Sequence, residues 1–160
     1  MTRLLRLRAT KPPAPVRAED VAAAEAALGA KFPAGYCDFI TRYGRGILGG
    51  LLRIATPADV LGGPNNVHDW RARIDEYWFW DASADLLPKA RALECIPIAD
   101  TVGGDELIFH AAEPNRLYVL GHDFDEIHLA SDVGLETAID WFFTSGVLDE
   151  PFENDSFEPY

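Results

Sequence analysis

Two stretches in the second half of the chain carry the side chains best suited to chemistry. Histidines and carboxylates recur in both: Asp105, Glu106 and His110 in the first, and His122, Asp123, Asp125, Glu126 and His128 in the second. Carboxylates beside histidines can bind a metal ion or transfer protons. However, the spacing from His122 to His128 matches no zinc-site pattern, and Gly103-Gly104-Asp105 is ordinary turn sequence. We therefore expect solvated turns and strand ends here, with no catalytic residue, metal or cofactor.

Four consecutive aromatic residues, Tyr77 to Trp80, follow a helical pattern that contains Trp70. Tryptophan and tyrosine often dominate the energy of protein–protein interfaces. Packing into the core is an equal alternative, but four adjacent side chains cannot all face one way on a helix. Some should therefore lie at the surface, and we take Trp78 and Trp80 as candidate contact residues.

Charge is distributed very unevenly along the chain. The formal net charge is −12, yet residues 1–17 contain five basic residues and no acid, whereas residues 100–160 contain 15 acids and one base, Arg116. A negative potential of this kind repels nucleic acid and anionic membranes and speeds encounters with basic proteins. We therefore expect a basic protein partner, no nucleic acid and no membrane. The candidate contact acids are Asp123, Asp125, Glu126, Asp149, Glu150, Glu153 and Asp155.

The elements that must position these residues follow from periodicity and turn chemistry. Helical patterns occupy the segments AEDVAAAEAALG, YCDFITRYG, the stretch from Val67 to Tyr77, and GLETAIDWFFTSG, while LLRIA is a plausible strand. From Cys95 onward, CIPIAD, ELIFHA, RLYVLG and EIHLAS read as four strands separated by short turns. Short connections require antiparallel pairing. The chain is thus predicted to be α+β, with an antiparallel or mixed sheet, a meander in its C-terminal half, and helices packed around it.

Composition predicts three parts. Residues 1–17 form a basic, proline-containing arm, which is either an edge strand or a loose arm. Residues 18–146 form one domain, and residues 147–160 form an acidic, aromatic tail that is disordered, docked through its aromatics, or used for interaction. The first residues, MTRLLRLR, lack the apolar core of a secretory signal, and no apolar run is long enough to cross a bilayer. Cys37 and Cys95 suit small buried side chains in a reducing compartment, so we expect a cytoplasmic protein.

The order of these motifs resembles the SUKH superfamily (Smi/Knr-like). The resemblance is carried by the helix ending EAALGAKFP, the helix YCDFITRYG with its glycine-rich turn, and the stretch IPIADTVGGDELIF. RLYVLG, EIHLAS and the closing helix follow in the family's order, so the similarity extends over roughly residues 18–145. Arg45 stands where the family often has Gly or Asn. Pattern positions are matched by Leu28, Gly29, Pro33, Phe39, Tyr43, Gly104 and Asp105, which the resemblance implies to be core and turn residues.

The resemblance implies a bacterial immunity protein that binds and neutralises a toxin, without a shared catalytic set. Together with the charge, it points to a basic toxin, such as a nuclease-type C-terminal domain of a secreted polymorphic toxin, bound stoichiometrically. Some relatives act as regulators or scaffolds, so a module that binds an endogenous partner is the alternative. A small-molecule pocket under the meander is also open at this stage, and the oligomeric state is not indicated.

Overall fold

The structure is a computed structural model, and it describes residues 3–123 and 126–160. The helices are α1 (Arg3–Arg6), α2 (Ala18–Leu28), α3 (Tyr36–Tyr43), α4 (Pro57–Gly62), α5 (Val67–Glu76), α6 (Lys89–Ala92) and α7 (Leu135–Thr144), with a 3-10 turn at Asp81–Ser83. The strands are β1 (Arg8–Ala9), β2 (Gly46–Leu48), β3 (Leu52–Ile54), β4 (Ile96–Thr101), β5 (Glu106–His110), β6 (Glu113–Leu120), β7 (Ile127–Ser131) and β8 (Ser156–Pro159).

All of these strands belong to one sheet, in the order β1-β8-β2-β3-β4-β5-β6-β7. The strands from β2 to β7 are successive antiparallel neighbours, whereas β1 and β8 pair in parallel. The predicted α+β class with a mixed sheet and a C-terminal meander is therefore confirmed. The meander also extends further back than predicted, because the glycine-rich stretch before LLRIA contains β2.

Several of the helices begin and end at local sequence signals. Gly29 ends α2 in the left-handed conformation, with φ of 64°, which glycine adopts without steric cost. The side chain of Thr56 accepts a hydrogen bond from the main-chain N–H of Asp59, and the Asp59 side chain accepts one from Thr56 N–H, so a capping box opens α4. Asn66 caps α5 through the N–H of Asp69 in the same way.

The sheet buries apolar side chains on both of its faces. In β5, Leu107 and Phe109 belong to the core formed with α2, α3 and α7, whereas Ile108 lies in a second core with Trp70 of α5. Alternate residues of a strand point to opposite faces, so the two cores lie on opposite sides of the meander. The helix α5 and the segment that follows it thus cover the face that α7 does not reach. The second core also contains Cys95, but Cys37 is exposed, contrary to the expectation that both thiols are buried.

The two terminal segments pack together at one edge of the sheet. β1 lies beside β8, with Arg8 aligned to Ser156 and Ala9 to Phe157. Arg3 is 3% exposed, its Nε and Nη1 lie 3.2 Å from carboxylate oxygens of Asp140 and Asp155, and its guanidinium stacks 4.2 Å from the centre of the Phe143 ring. The arm therefore includes an edge strand, and the tail is docked through aromatic residues, since Phe157 is completely buried.

Glycine at position 46 makes this docking possible. A Cβ atom there would collide with the ring of Phe157 and with the carbonyl oxygen of Glu158. The close approach of β8 to β2 thus requires a residue without a side chain. Within the described ranges, no helix is both long and apolar enough to cross a bilayer.

Candidate protein-binding surface

Three segments that are distant in sequence converge at the turn between β6 and β7. The indole Nε1 of Trp80 donates to the carbonyl oxygen of Gly121 at 3.3 Å, and the N–H of Ile127 donates to Oγ of Ser83 at 2.9 Å. From the segment that follows α7, the side chain of Leu148 approaches Gly121. Residues 77–83, residues 121–123 with 126–127, and residues 147–150 are therefore neighbours in the folded chain.

This convergence creates a surface that is both acidic and aromatic. We call it the acidic–aromatic surface and define it by its solvent-accessible or partly accessible members: Trp78, Phe79, Asp81, Asp123, Glu126 and Asp149. Phe79 is 55% exposed, and the Nε1 of Trp78 donates to Oδ1 of Asp81 at 2.7 Å. Exposed carboxylates beside partly exposed aromatic rings are suited to contact a basic protein.

Trp80 does not belong to this surface, although the sequence analysis selected it as a contact residue. Its side chain is 2% exposed and lies in the second core, with its ring centre 5.4 Å from that of Trp78. Removing the large apolar indole ring from water is favourable, and the hydrogen bond to Gly121 satisfies the single N–H donor of that ring. Of the two predicted tryptophans, the structure leaves only Trp78 accessible.

The remaining predicted acids are separated by the fold. Glu150 and Glu153 are exposed on the segment after α7. Asp155 lies at the other end of the tail, where it pairs with Arg3, so it contributes to docking of the N-terminal arm. Asp125 falls outside the described residues. The acidic candidates thus do not form one continuous patch. Asp123, Glu126 and Asp149 lie on segments that meet at the turn between β6 and β7.

A buried carboxylate holds the β6–β7 turn in place. Oδ1 of Asp105 accepts hydrogen bonds from the main-chain N–H of His122 at 2.9 Å and pairs with His122 Nδ1 at 2.7 Å. Oδ2 of Asp105 accepts from the hydroxyl of Thr101 at 2.7 Å. The hydrogen bond to Asp105 raises the pKa of His122, and the negative charges of Asp105, Asp123 and Asp149 raise it further. The turn is thereby fixed to the turn between β4 and β5.

An Asp–His pair also occurs in catalytic sites, where the aspartate orients the imidazole towards a nucleophile. Here the outer nitrogen, Nε2 of His122, faces the carboxylate of Asp123 at 3.2 Å. Across residues 3–123 and 126–160, no hydroxyl or thiol group is hydrogen-bonded to this imidazole, and no cluster of metal-ligating side chains is present. The geometry therefore supports a structural role for this pair, in which Asp105 orients the turn between β6 and β7 through His122.

Glu106 and His110, which the sequence also marked as candidates for chemistry, each contact a different side chain. Glu106 is nearly buried, and its Oε2 accepts from Arg73 at 2.7 Å and from Asn65 at 3.1 Å. His110 lies 2.7 Å from Glu94, and this contact lowers the pKa of Glu94. These pairs link β5 to the helical segment before β4, which is a structural role.

A polar cavity lies against β3 and β4; the sequence left a small-molecule pocket open but did not indicate these lining residues. Its volume is about 250 Å³, and its lining includes Arg45, Arg53, Asp59, Asp100 and Tyr160. Arg53 and Asp100 form a two-bond cross-strand pair at 3.0 and 2.7 Å, so much of the charge here is internally compensated. The lining residues come from segments up to 115 positions apart, from Arg45 to Tyr160, and local sequence patterns do not reveal such a site.

Comparison with known proteins gives one family match. Residues 15–133 match the model of the SMI1 / KNR4 family (SUKH-1). The matched region begins three residues before α2 and ends in the turn after β7, and it includes two of the three segments that form the acidic–aromatic surface. No curated protein and no solved structure matches the chain.

Proposed function

The chain belongs to the SMI1 / KNR4 family (SUKH-1), and we propose that it is an immunity protein that neutralises a basic bacterial toxin by binding it stoichiometrically. The family indicates a protein of the immunity type. The observation that carries the more specific proposal is that the three segments bearing Trp78 and the exposed acids meet at the turn between β6 and β7. In this proposal the protein works in the cytoplasm of a bacterium that produces the toxin.

Negative charge and accessible aromatic rings at this surface support a protein ligand. The net charge of −12 guides a cationic domain towards the chain, and the local carboxylates then fix its orientation. Partly exposed aromatic rings, such as those of Trp78 and Phe79, can contribute affinity by burial against the partner. The partner would be the C-terminal toxin domain of a secreted protein, and a nuclease-type domain is the best electrostatic match because such domains carry basic surfaces for nucleic acid.

The proposal predicts that a gene next to that of this chain encodes a secreted protein with a toxin-like C-terminal domain, and that domain is the ligand for the test. Co-expression should rescue growth. The triple variant D123N/E126Q/D149N should slow association with that domain by roughly tenfold or more at low salt and weaken the salt dependence.

The matched control is E19Q/D38N/E158Q, which also removes three negative charges from exposed positions outside the acidic–aromatic surface. Both triple variants have a formal net charge of −9, from −12 with three acids neutralised, so they differ only in where charge is lost. Equal association rates for the two variants would remove this surface from the proposal. Absence of rescue and of binding by the unaltered chain would overturn the function itself.

A regulatory or scaffold module that binds an endogenous protein is the alternative, and exposure of Tyr77 (52%) and Phe79 favours it. In that case a purified endogenous partner should lose affinity on Tyr77→Ala, whereas rescue from the toxin should not occur. The tail is less suited to this role than its composition suggests, because its central aromatic residue, Phe157, is buried.

A further inference from the structure

We infer that the partner adds an extended segment to the edge of β7, and that this segment carries basic side chains on both sides of the pairing point. This inference rests on the proposed function insofar as the partner is a basic protein. It adds a main-chain docking mode to the side-chain contacts of the acidic–aromatic surface, which lies at the beginning of the same strand.

In the sheet formed by the described residues, β7 is the terminal strand, and its inner side pairs with β6. Gly121 N–H donates inward to the carbonyl oxygen of Glu126, whereas the next residue, Ile127, directs its N–H outward to Ser83. In an antiparallel pair, successive residues alternate in this way. The N–H and C=O groups of Leu129 therefore point away from β6.

Leu129 is the accessible residue of this edge. Its exposed fraction is 37%, compared with 5% for each of Ile127, Ala130 and Ser131. Within the part of the chain that the structure describes, no hydrogen bond from outside the sheet reaches the main chain of Leu129. A partner strand that adds to a sheet edge pairs with unpaired main-chain N–H and C=O groups of this kind.

Two features restrict the docking to a short segment. The pairing of β7 with β6 skips one residue, since Leu129 is aligned with Tyr118 but Ser131 with Leu117, which leaves Ala130 as a bulge. Bulges bend an edge and interrupt further pairing. At the other end, Ser83 already occupies the N–H of Ile127. An incoming strand is thus centred on Leu129.

The charges around Leu129 determine which strand fits. Glu126 and Asp132 lie three residues before and after it, and both are exposed. If a second copy of this chain paired antiparallel about Leu129, Glu126 of one copy would oppose Asp132 of the other. Like charges placed opposite each other destabilise strand pairs. A foreign segment with lysine or arginine at both positions is favoured instead.

The probe is a seven-residue synthetic peptide, Lys-Thr-Val-Thr-Val-Thr-Lys, titrated into the full chain. At saturation it should slow amide hydrogen exchange at Leu129 by roughly tenfold or more. A peptide with Glu at both ends, and a Lys-ended peptide N-methylated at alternate residues, should leave the exchange rate unchanged. Equal effects of all three peptides, or no effect of the first at millimolar concentration, would overturn the inference.

Leu129→Pro removes the outward N–H but leaves the β6–β7 hydrogen bonds, and proline is tolerated at such edge positions. It should weaken binding of the Lys-ended peptide at least tenfold, whereas Leu129→Ala, which keeps the N–H, should change it less than about threefold. Should Leu129→Pro fail to fold, the N-methylated peptide tests the same main-chain pairing through its other hydrogen bond, because it lacks the N–H that would donate to the carbonyl oxygen of Leu129. A dimer of the unaltered chain that dissociates on Leu129→Pro would assign the edge to a second copy and overturn the inference.

The outcomes also separate this inference from the proposed function. If the peptide protects Leu129 but the chain gives no rescue from the toxin, the edge docks a basic strand and the immunity role is wrong. If rescue occurs and Leu129→Pro binds the toxin domain normally, the immunity role stands and docking at the edge is wrong.

Discussion

Nδ1 of His122 lies 2.7 Å from Oδ1 of Asp105, a carboxylate that is only 1% exposed, and this contact joins the turn before β5 to the turn after β6. The main-chain N–H of His122 donates to the same oxygen. A single buried side chain thereby fixes both the main chain and the imidazole of a residue at the border of the acidic–aromatic surface. The position of Asp123 depends on this link.

The first prediction concerns pH. The pKa of His122 is raised from its ordinary value of 6.5, mainly by the hydrogen bond to Asp105 and also by the charges of Asp105, Asp123 and Asp149. A pKa that is higher in the folded than in the unfolded state stabilises the protonated fold. This stabilisation should be complete below pH 6.5 and disappear as the pH rises through the folded-state pKa of His122.

Urea unfolding measured across this pH range checks the prediction. His122→Gln should remove the pH-dependent part of the unfolding free energy, whereas His68→Gln, at an exposed helical position, should preserve it. Identical pH profiles for the His122→Gln variant and the unaltered chain would contradict the assigned role.

Loss of Asp105 should destabilise the fold strongly. Asp105→Ala leaves the N–H of His122 and the hydroxyl of Thr101 without their acceptor, at a cost of about 2–4 kcal/mol in unfolding free energy. Asp123→Ala is the matched control, because its side chain is 79% exposed, and it should cost less than about 0.5 kcal/mol. Denaturant titration of both variants measures the difference, and similar costs would show that burial of Asp105 has no energetic importance.

Substitution of Trp80 should mainly reduce stability, whereas substitution of Trp78 should mainly reduce binding. Trp80→Ala empties part of the second core and should reduce the unfolding free energy by about 3–5 kcal/mol. Trp78→Ala should have a clearly smaller effect on unfolding but weaken binding to the basic partner, since truncation of an interface tryptophan costs about 2 kcal/mol or more in binding free energy. Guanidinium unfolding and titration calorimetry distinguish the two effects, and unchanged binding by Trp78→Ala would exclude that residue from the interface.

Arg3 should control attachment of the N-terminal arm. Arg3→Ala removes the guanidinium that links Asp140 to Asp155, and the expected cost is roughly 1–3 kcal/mol because both carboxylates can turn to solvent. The N–H groups of Arg8 and Thr10, which donate to carbonyl oxygens of the tail at 2.7 and 2.9 Å, should then exchange faster with solvent. The control is Arg6→Ala, at an exposed position of the same helix. Equal amide exchange rates at Arg8 and Thr10 in both variants would contradict attachment of the arm through Arg3.

Sequence alone determined the elements whose signals are local. Glycine at the end of α2 and apolar periods of 3.6 or 2 predict α2, α3, α5, α7 and β3 to β7, because each depends on residues a few positions apart. Short turns also determine that β4 to β7 are antiparallel. The resemblance to the SUKH superfamily depends on the same local motifs, and the family match confirms it.

Tertiary structure alone decided which residues of distant segments meet. Trp78 and Trp80 are identical in type and two positions apart, yet Trp80 is buried in the second core, where its indole reaches Gly121, whereas Trp78 packs against the border of that core. Pairing of β1 with β8 brings Arg3 to Asp155 across more than 150 residues, and no periodicity within either segment encodes that pairing. Contacts of this kind are selected by the free energy of the whole packed chain, so a binding surface assembled from three segments becomes visible only when the chain is folded.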